Sequence, residues 1–211
     1  NVQAYIWGMT GDLRDEGSLW QDPDVPGPLA TDGAFTMYGT QCGYNGMKLV
    51  LGEISASNPY SFSNVWTTSY QCIRRANTVF ARIDEAKDLT AQDRAELLSL
   101  NRFIRAYAYY KLWLAYGPVI LIGDEEIPSN LDMGDYDRAR ATNEETVEYI
   151  CSELEEAAKY LPETYPLMEF GRPTKGAAYG LIARIRTYYA SPLWNGGEAA
   201  RRCFGNWYRK T

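Results

Sequence analysis

The stretch from Thr90 to Pro118, TAQDRAELLSLNRFIRAYAYYKLWLAYGP, limits the possible folds more than any other part of the chain. Thr90 with Asp93 three residues on reads as a capping box with the shorter acid. Gly117 supplies a C-cap, and Pro118 forbids continuation. The spacing predicts one long helix over 91–116. Leu97, Leu100, Phe103/Ile104, Tyr107 and Tyr110/Leu114 recur at three and four residues and form its apolar stripe. Its aromatic side chains nevertheless lie on several sides. A helix that is apolar on most sides must be covered on most sides, which points to a stack of helices. A membrane span is excluded, because Arg102, Arg105 and Lys111 fall inside the stretch. Unbroken apolar runs, such as Val119 to Ile122, are far below the roughly 18 residues a spanning helix needs.

Three further helices follow from the same reasoning. Trp66, Tyr70, Ile73, Asn77, Phe80 and Ile83 share one face of a helix over 63–86, with Ser63 as its N-cap. Thr142 and Glu145 form a capping box for a helix over 143–161, ended by Pro162. Thr174 caps a helix over 174–190, where Gly176, Ala177, Gly180 and Ala183 keep one side small enough for close approach of a neighbour. Val119–Ile122 reads as a short extended run. The fold class is therefore mainly α, built as tetratricopeptide-like helix pairs forming an α-α superhelix. Trp66, Tyr70, Tyr107, Tyr110 and Trp113 stand at packing spacing and are expected in the helical seam. Asn77 should be hydrogen-bonded inside the scaffold. Arg172 and Thr174 read as loop anchor and cap.

Ahead of these helices, residues 1–9 read as the tail of a helix. Residues 10–62 are dense in Gly, Pro, Asp, Asn and Ser and read as one long loop-rich segment. A loop of this length in a compact domain is usually functional or disordered, and its aromatics argue against simple disorder. The 211 residues are divided into this segment at 1–62, a helical scaffold at 63–190 and the start of a further region at 191–211, within a single domain. The chain opens without Met or a leader and closes on FGNWYRKT, so it is expected to be a fragment.

The sequence contains no histidine, which removes the commonest general base and metal ligand. The net charge of −6 and the lack of a basic run argue against nucleic acid as a partner. No cysteine pair has zinc-type spacing. Cys72 and Cys151 fall on apolar helix faces and read as buried free thiols. No catalytic residue, metal or cofactor is expected.

An ordered series of segments resembles the SusD/RagB-like outer-membrane nutrient-binding family of Bacteroidetes. GMTGDLRDEG, VWTTSYQCIRRANTVFARID, NRFIRAYAYYKLWLAYGPVILI, RARATNEETVEYICSELEEAAKYLP and GRPTKGAAYGLIARIRTYYASPLWNG carry the resemblance, in the family's order. Members of that family are more than twice as long. The resemblance implies a non-catalytic, lipid-anchored protein at the surface of the outer membrane. It implies binding of an oligosaccharide or polysaccharide, or a peptide in some members, and delivery to a TonB-dependent transporter barrel of the SusC-like kind. The lipid anchor would lie outside this chain.

A glycan site is expected on loops held by the helical stack. Sugar rings offer an apolar face edged by hydroxyls, so flat aromatics beside Asn and Asp suit them. Trp20, Tyr38, Tyr44 and Tyr60 lie in the loop-rich segment near Asp24, Asp32, Asn45 and Asn58 and are the candidate ligand contacts, the other reading of each being packing that pins the loop. Two rival readings come from other classes. One is a helical-repeat scaffold whose only partner is protein. The other is a glycoside hydrolase on a helical scaffold, with acid pairs drawn from GDEEIP at 123–128 or LDMGDYD at 131–137.

Overall fold

In a computed structural model of the chain, the described residues are 1–13, 31–32, 45–55, 57, 63–128, 134, 137–195, 197–198 and 201–202. The α-helices are α1 Val2–Met9, α2 Asn45–Val50, α3 Ser63–Arg82, α4 Ala91–Tyr116, α5 Asn143–Ala158 and α6 Lys175–Tyr189. Short 3-10 turns occur at Thr10–Asp12, Ile83–Glu85 and Leu167–Glu169. No strand occurs among the described residues. The chain divides into two compact units, Asn1–Asp12 with Ser69–Thr211, and Leu13–Thr68.

The helix ends lie where local chemistry puts them. Thr90 Oγ1 accepts from the Asp93 N–H at 3.1 Å, and Asp93 reaches back to the Thr90 N–H at 3.3 Å. Thr142 and Glu145 repeat the exchange at 3.1 and 2.7 Å. Each box satisfies two helix-end donors that would otherwise face no partner. Thr174 accepts from the Ala177 N–H at 3.1 Å. Gly117 takes φ +69°, and its N–H closes on the Trp113 carbonyl at 2.9 Å. Ser63 is the first residue of α3 rather than its cap, a shift of the size expected at helix ends. The helix expected over 63–86 tightens into a 3-10 turn after Arg82.

Two expectations need correction. The segment 10–62 is not loop throughout. Thr10–Asp12 is a 3-10 turn, and α2 forms at Asn45–Val50. Gly52, at φ +73°, donates to Leu49, and Glu53 donates to Lys48, a Schellman ending. The turn-like NG and the short helix disguised it. Second, Gly176, Ala177, Gly180 and Ala183 do not face a neighbouring helix but are exposed. A Cβ on Gly180 would meet nothing within 4 Å. The packed side of α6 is Ala178, Ile185 and Tyr189. Val119–Ile122 is non-helical, and no strand pairs with it among the described residues. Tyr70 Oη donates to the Ile120 carbonyl at 2.9 Å and accepts from the Ile120 N–H at 3.0 Å, while Tyr109 Oη accepts from the Ile122 N–H at 3.0 Å. The phenol groups stand in for the strand that would otherwise satisfy this backbone.

In the larger unit α5 packs against both α4 and α6, and α1 packs against α4. The core includes Ile73, Tyr109, Leu112, Trp113, Ile150, Leu154 and Ile185, all essentially inaccessible. Trp113 stacks on Trp194 at 5.4 Å between ring centres and meets Tyr188 edge-on at 5.3 Å. Tyr110 is buried, while Trp66, Tyr70 and Tyr107 are half-buried. The aromatic stretch therefore builds the helical seam. No described helix is long and apolar enough to cross a membrane.

Cys72 and Cys151 are free and buried. Burial disfavours the thiolate and pushes Cys72 up to about 12 and Cys151 up to about 11. Neither thiol should react with iodoacetamide in the folded protein at mildly alkaline pH, and both should react in denaturant. Peptide mapping decides this, and rapid native labelling of either position contradicts the buried assignment. Cys42 and Cys203 lie outside the described residues.

Candidate functional site

Among the described residues of the larger unit, a heavily bonded polar group is Arg105, on the buried side of α4. Its guanidinium donates to Glu153 Oε2 at 2.5 and 2.9 Å, to Asn77 Oδ1 at 2.7 Å and to the Gly123 carbonyl at 3.0 Å, and pairs with Asp124 at 2.7 Å. Arg102 pairs with the other oxygen of Glu153. The ring of Phe80 lies 4.4 Å from the Arg105 guanidinium carbon and 5.0 Å from that of Arg102. Burial lowers the Arg105 pKa, and Glu153, Tyr149 and Asp124 together more than offset this, holding the cation above its ordinary value. Asn77 completes the network by donating to the Gly123 and Glu125 carbonyls at 3.0 and 2.7 Å. The nitrogens of the Arg105 guanidinium and of the Asn77 amide are all partnered, so the cluster clamps α3, α4, α5 and the 123–125 turn together.

A cleft of about 180 Å³ borders this clamp, lined by Tyr70, Arg74, Asn77, Ile122, Glu125 and Ile127. Its polar groups are largely committed to the fold. Tyr70 and Asn77 hold backbone, and Glu125 receives a two-pronged ion pair from Arg138 at 2.8 and 2.9 Å. Glu126 accepts from Thr78 at 3.1 Å. The Arg138 hydrogen bonds hold the Glu125 carboxyl below its ordinary value. That is the opposite of the raised value a general acid needs. The described acids of GDEEIP thus serve structure, while most of LDMGDYD lies outside the described residues. No group of three or more metal-ligating side chains occurs among the described residues.

A second cleft, of about 390 Å³, opens at the loop between α5 and α6 and is lined by Glu163, Thr164, Tyr165, Phe170, Arg172 and Thr174. Arg172 pairs with Glu169 at 2.8 Å, and its guanidinium lies 4.9 Å over the Trp7 ring and 5.8 Å over the Tyr165 ring. Burial pushes the Tyr165 phenol up, so it remains a neutral donor. Phe170 is 89% exposed. Here Glu163 and Thr164 make no side-chain hydrogen bond among the described residues. The two clefts thus differ in their uncommitted polar groups.

The four candidate ligand contacts, Trp20, Tyr38, Tyr44 and Tyr60, lie outside the described residues. The sequence reading assigned Thr174 its cap and Arg172 its anchoring role, but did not anticipate the Arg105–Glu153 clamp or the cleft at 163–174. The signal for the cleft was present in YPLMEFGRP, where apolar side chains stand between prolines with no helical period.

Residues 26–187 match the SusD-like family described as starch-binding and associating with the outer membrane. A SusD-like protein of Bacteroides ovatus is 26% identical over 172 residues, which is 81% of this chain and 29% of that protein. A crystal structure of a SusD-like protein from Bacteroides fragilis has a TM-score of 0.71 at 26% identity, covering 89% of this chain and 34% of that one. Surface glycan-binding protein A from Bacteroides thetaiotaomicron, solved in complex with laminarihexaose, has a TM-score of 0.59 at 19% identity, covering 95% of this chain and 39% of that one. The chain spans about a third of the length of these relatives.

Proposed function

Because the chain belongs to the SusD-like family, we propose that the protein captures glycans at the outer membrane without covalent chemistry and passes them to a TonB-dependent transporter barrel. The match over residues 26–187 is the observation that carries this reading. The laminarihexaose held by the Bacteroides thetaiotaomicron protein makes laminarin, beside starch, a glucan to try first. Residues 1–211 are then part of one SusD-like domain held at the cell surface by a lipid anchor. Trp20, Tyr38, Tyr44 and Tyr60 are the proposed stacking contacts of the loop-rich segment. Hydrogen bonds to sugar hydroxyls largely replace bonds to water, and their net gain is small. Apolar burial on one ring face adds about 25 cal/mol per Å². Such a site selects glycan shape more than it binds tightly.

In native gels containing starch or laminarin, the protein should be retarded by at least one of the two. At least one alanine variant of the four aromatics should lose retardation with an unchanged melting temperature. A full-length protein that is retarded in neither gel, and that recovers no outer-membrane barrel in a detergent pull-down, sinks the reading.

A further inference from the structure

The loop between α5 and α6 holds three large apolar side chains in water. Leu167 is 87% exposed, Met168 95% and Phe170 89%. The loop is nonetheless built rather than slack. Pro162, Pro166 and Pro173 restrict its backbone. The Lys175 N–H closes on the Pro162 carbonyl at 2.9 Å, and the Glu169 N–H closes on the Pro166 carbonyl at 2.8 Å. The Glu169–Arg172 pair and the Arg172 contacts with Trp7 and Tyr165 fix the base. Gly171 turns the chain at φ +95°, where a side chain would be strained. This support presents Phe170 at the mouth of a cleft whose volume, about 390 Å³, falls in the usual range for small-molecule sites, roughly 300–1,000 Å³.

We propose that this cleft is a glycan subsite in which Phe170 stacks on the apolar face of a pyranose ring while Glu163, Thr164 and Tyr165 receive its hydroxyls. The chemistry of the lining selects this ligand. Phe170 gives a flat apolar surface. Glu163 and Thr164 have unused hydrogen-bonding capacity at its edge. Arg172 is neutralised by Glu169, which makes the cleft a poor site for a phosphate or other anion. An apolar peptide side chain would leave the polar half of the cleft unpaired, whereas a sugar ring uses both halves. The assignment rests on the glycan-binding reading above, to which it adds a site independent of the loop-rich segment.

Calorimetric titration of the protein with maltohexaose and with laminarihexaose tests it. Phe170→Ala should bind whichever hexasaccharide the wild type binds roughly tenfold more weakly, about 1.4 kcal/mol. Phe170→Tyr should restore the affinity, because it keeps the flat face. Leu167→Ser, beside the cleft but outside its lining, should bind like the wild type. Both residues are exposed, so the melting temperatures should not move. If Phe170→Ala binds within about twofold of the wild type, this subsite is wrong while glycan binding stands. If the same variant instead loses association with a protein partner and keeps its glycan affinity, the cleft is a protein contact and the assignment is overturned. If the wild type binds neither hexasaccharide, the subsite falls together with the reading on which it rests.

Discussion

Glu153→Ala is expected to lower the unfolding free energy by about 3–5 kcal/mol, because it leaves a buried cation without its principal counter-charge. The Arg105 side chain is 1% accessible, and its guanidinium donates two hydrogen bonds to Glu153. With the carboxylate gone, Asp124 is the nearest remaining charge, and its side chain is 68% accessible, where water weakens the attraction. Arg102 loses its partner as well. The clamp is therefore destabilised by desolvation without compensation, and the melting temperature should fall by on the order of 10 °C. Arg105→Met should cost less, since it removes the buried charge itself and leaves Glu153 paired with Arg102. Urea denaturation of the two variants reads both values. A loss below about 1 kcal/mol for Glu153→Ala would mean that water reaches Arg105, against the buried geometry.

Trp113→Ala should cost a similar amount, about 3–5 kcal/mol, for a different reason. The indole is wholly buried and bridges three parts of the chain. Its N–H donates to Asn143 Oδ1 at 2.7 Å at the first turn of α5, and its ring lies against Tyr188 of α6 and Trp194 in the turn after it. Truncation opens a cavity that these rings cannot fill by small shifts. It also strips a partner from buried Asn143. Trp113→Phe keeps most of the packing and loses the hydrogen bond, so it should cost about 1–3 kcal/mol. Thermal unfolding followed by near-ultraviolet circular dichroism distinguishes the two. A nearly stable Trp113→Ala that has lost glycan binding would move the residue from the seam to the ligand.

The helices were legible because their signals are local. Thr90 with Asp93, Thr142 with Glu145, Thr174, and Gly117 before Pro118 each act within four residues, and the structure ends α4, α5 and α6 close to those marks. The clamp was not legible because its partners are remote and its residues are charged. Arg105 follows Ile104 in the apolar stripe, and Glu153 precedes Leu154 in a run of acids. Periodicity assigns both to solvent, and only the fold brings the two charges within hydrogen-bond distance. The outward side of α6 misled for the opposite reason. Gly176, Gly180 and Ala183 permit close packing but do not supply the neighbour. Of the candidate site, the sequence offered aromatic composition in the loop-rich segment. The exposure of Phe170 depends on where the 167–169 turn points, and no local rule sets that.

The tyrosine hydroxyls that hold residues 119–122 also bear on aggregation. VILI is uncharged and β-branched at three of four positions, a short run that favours strand pairing once its backbone is free. In the fold, a single phenol occupies both the donor and the acceptor of Ile120, a second occupies the donor of Ile122, and the Ala141 N–H closes on the Val119 carbonyl at 2.9 Å. An incoming strand from another molecule would have to displace these bonds before it could pair. Tyr70 and Tyr109 thus act as caps on a segment that pairs with no strand among the described residues, and they protect it alongside Pro118, which offers no backbone donor at its start.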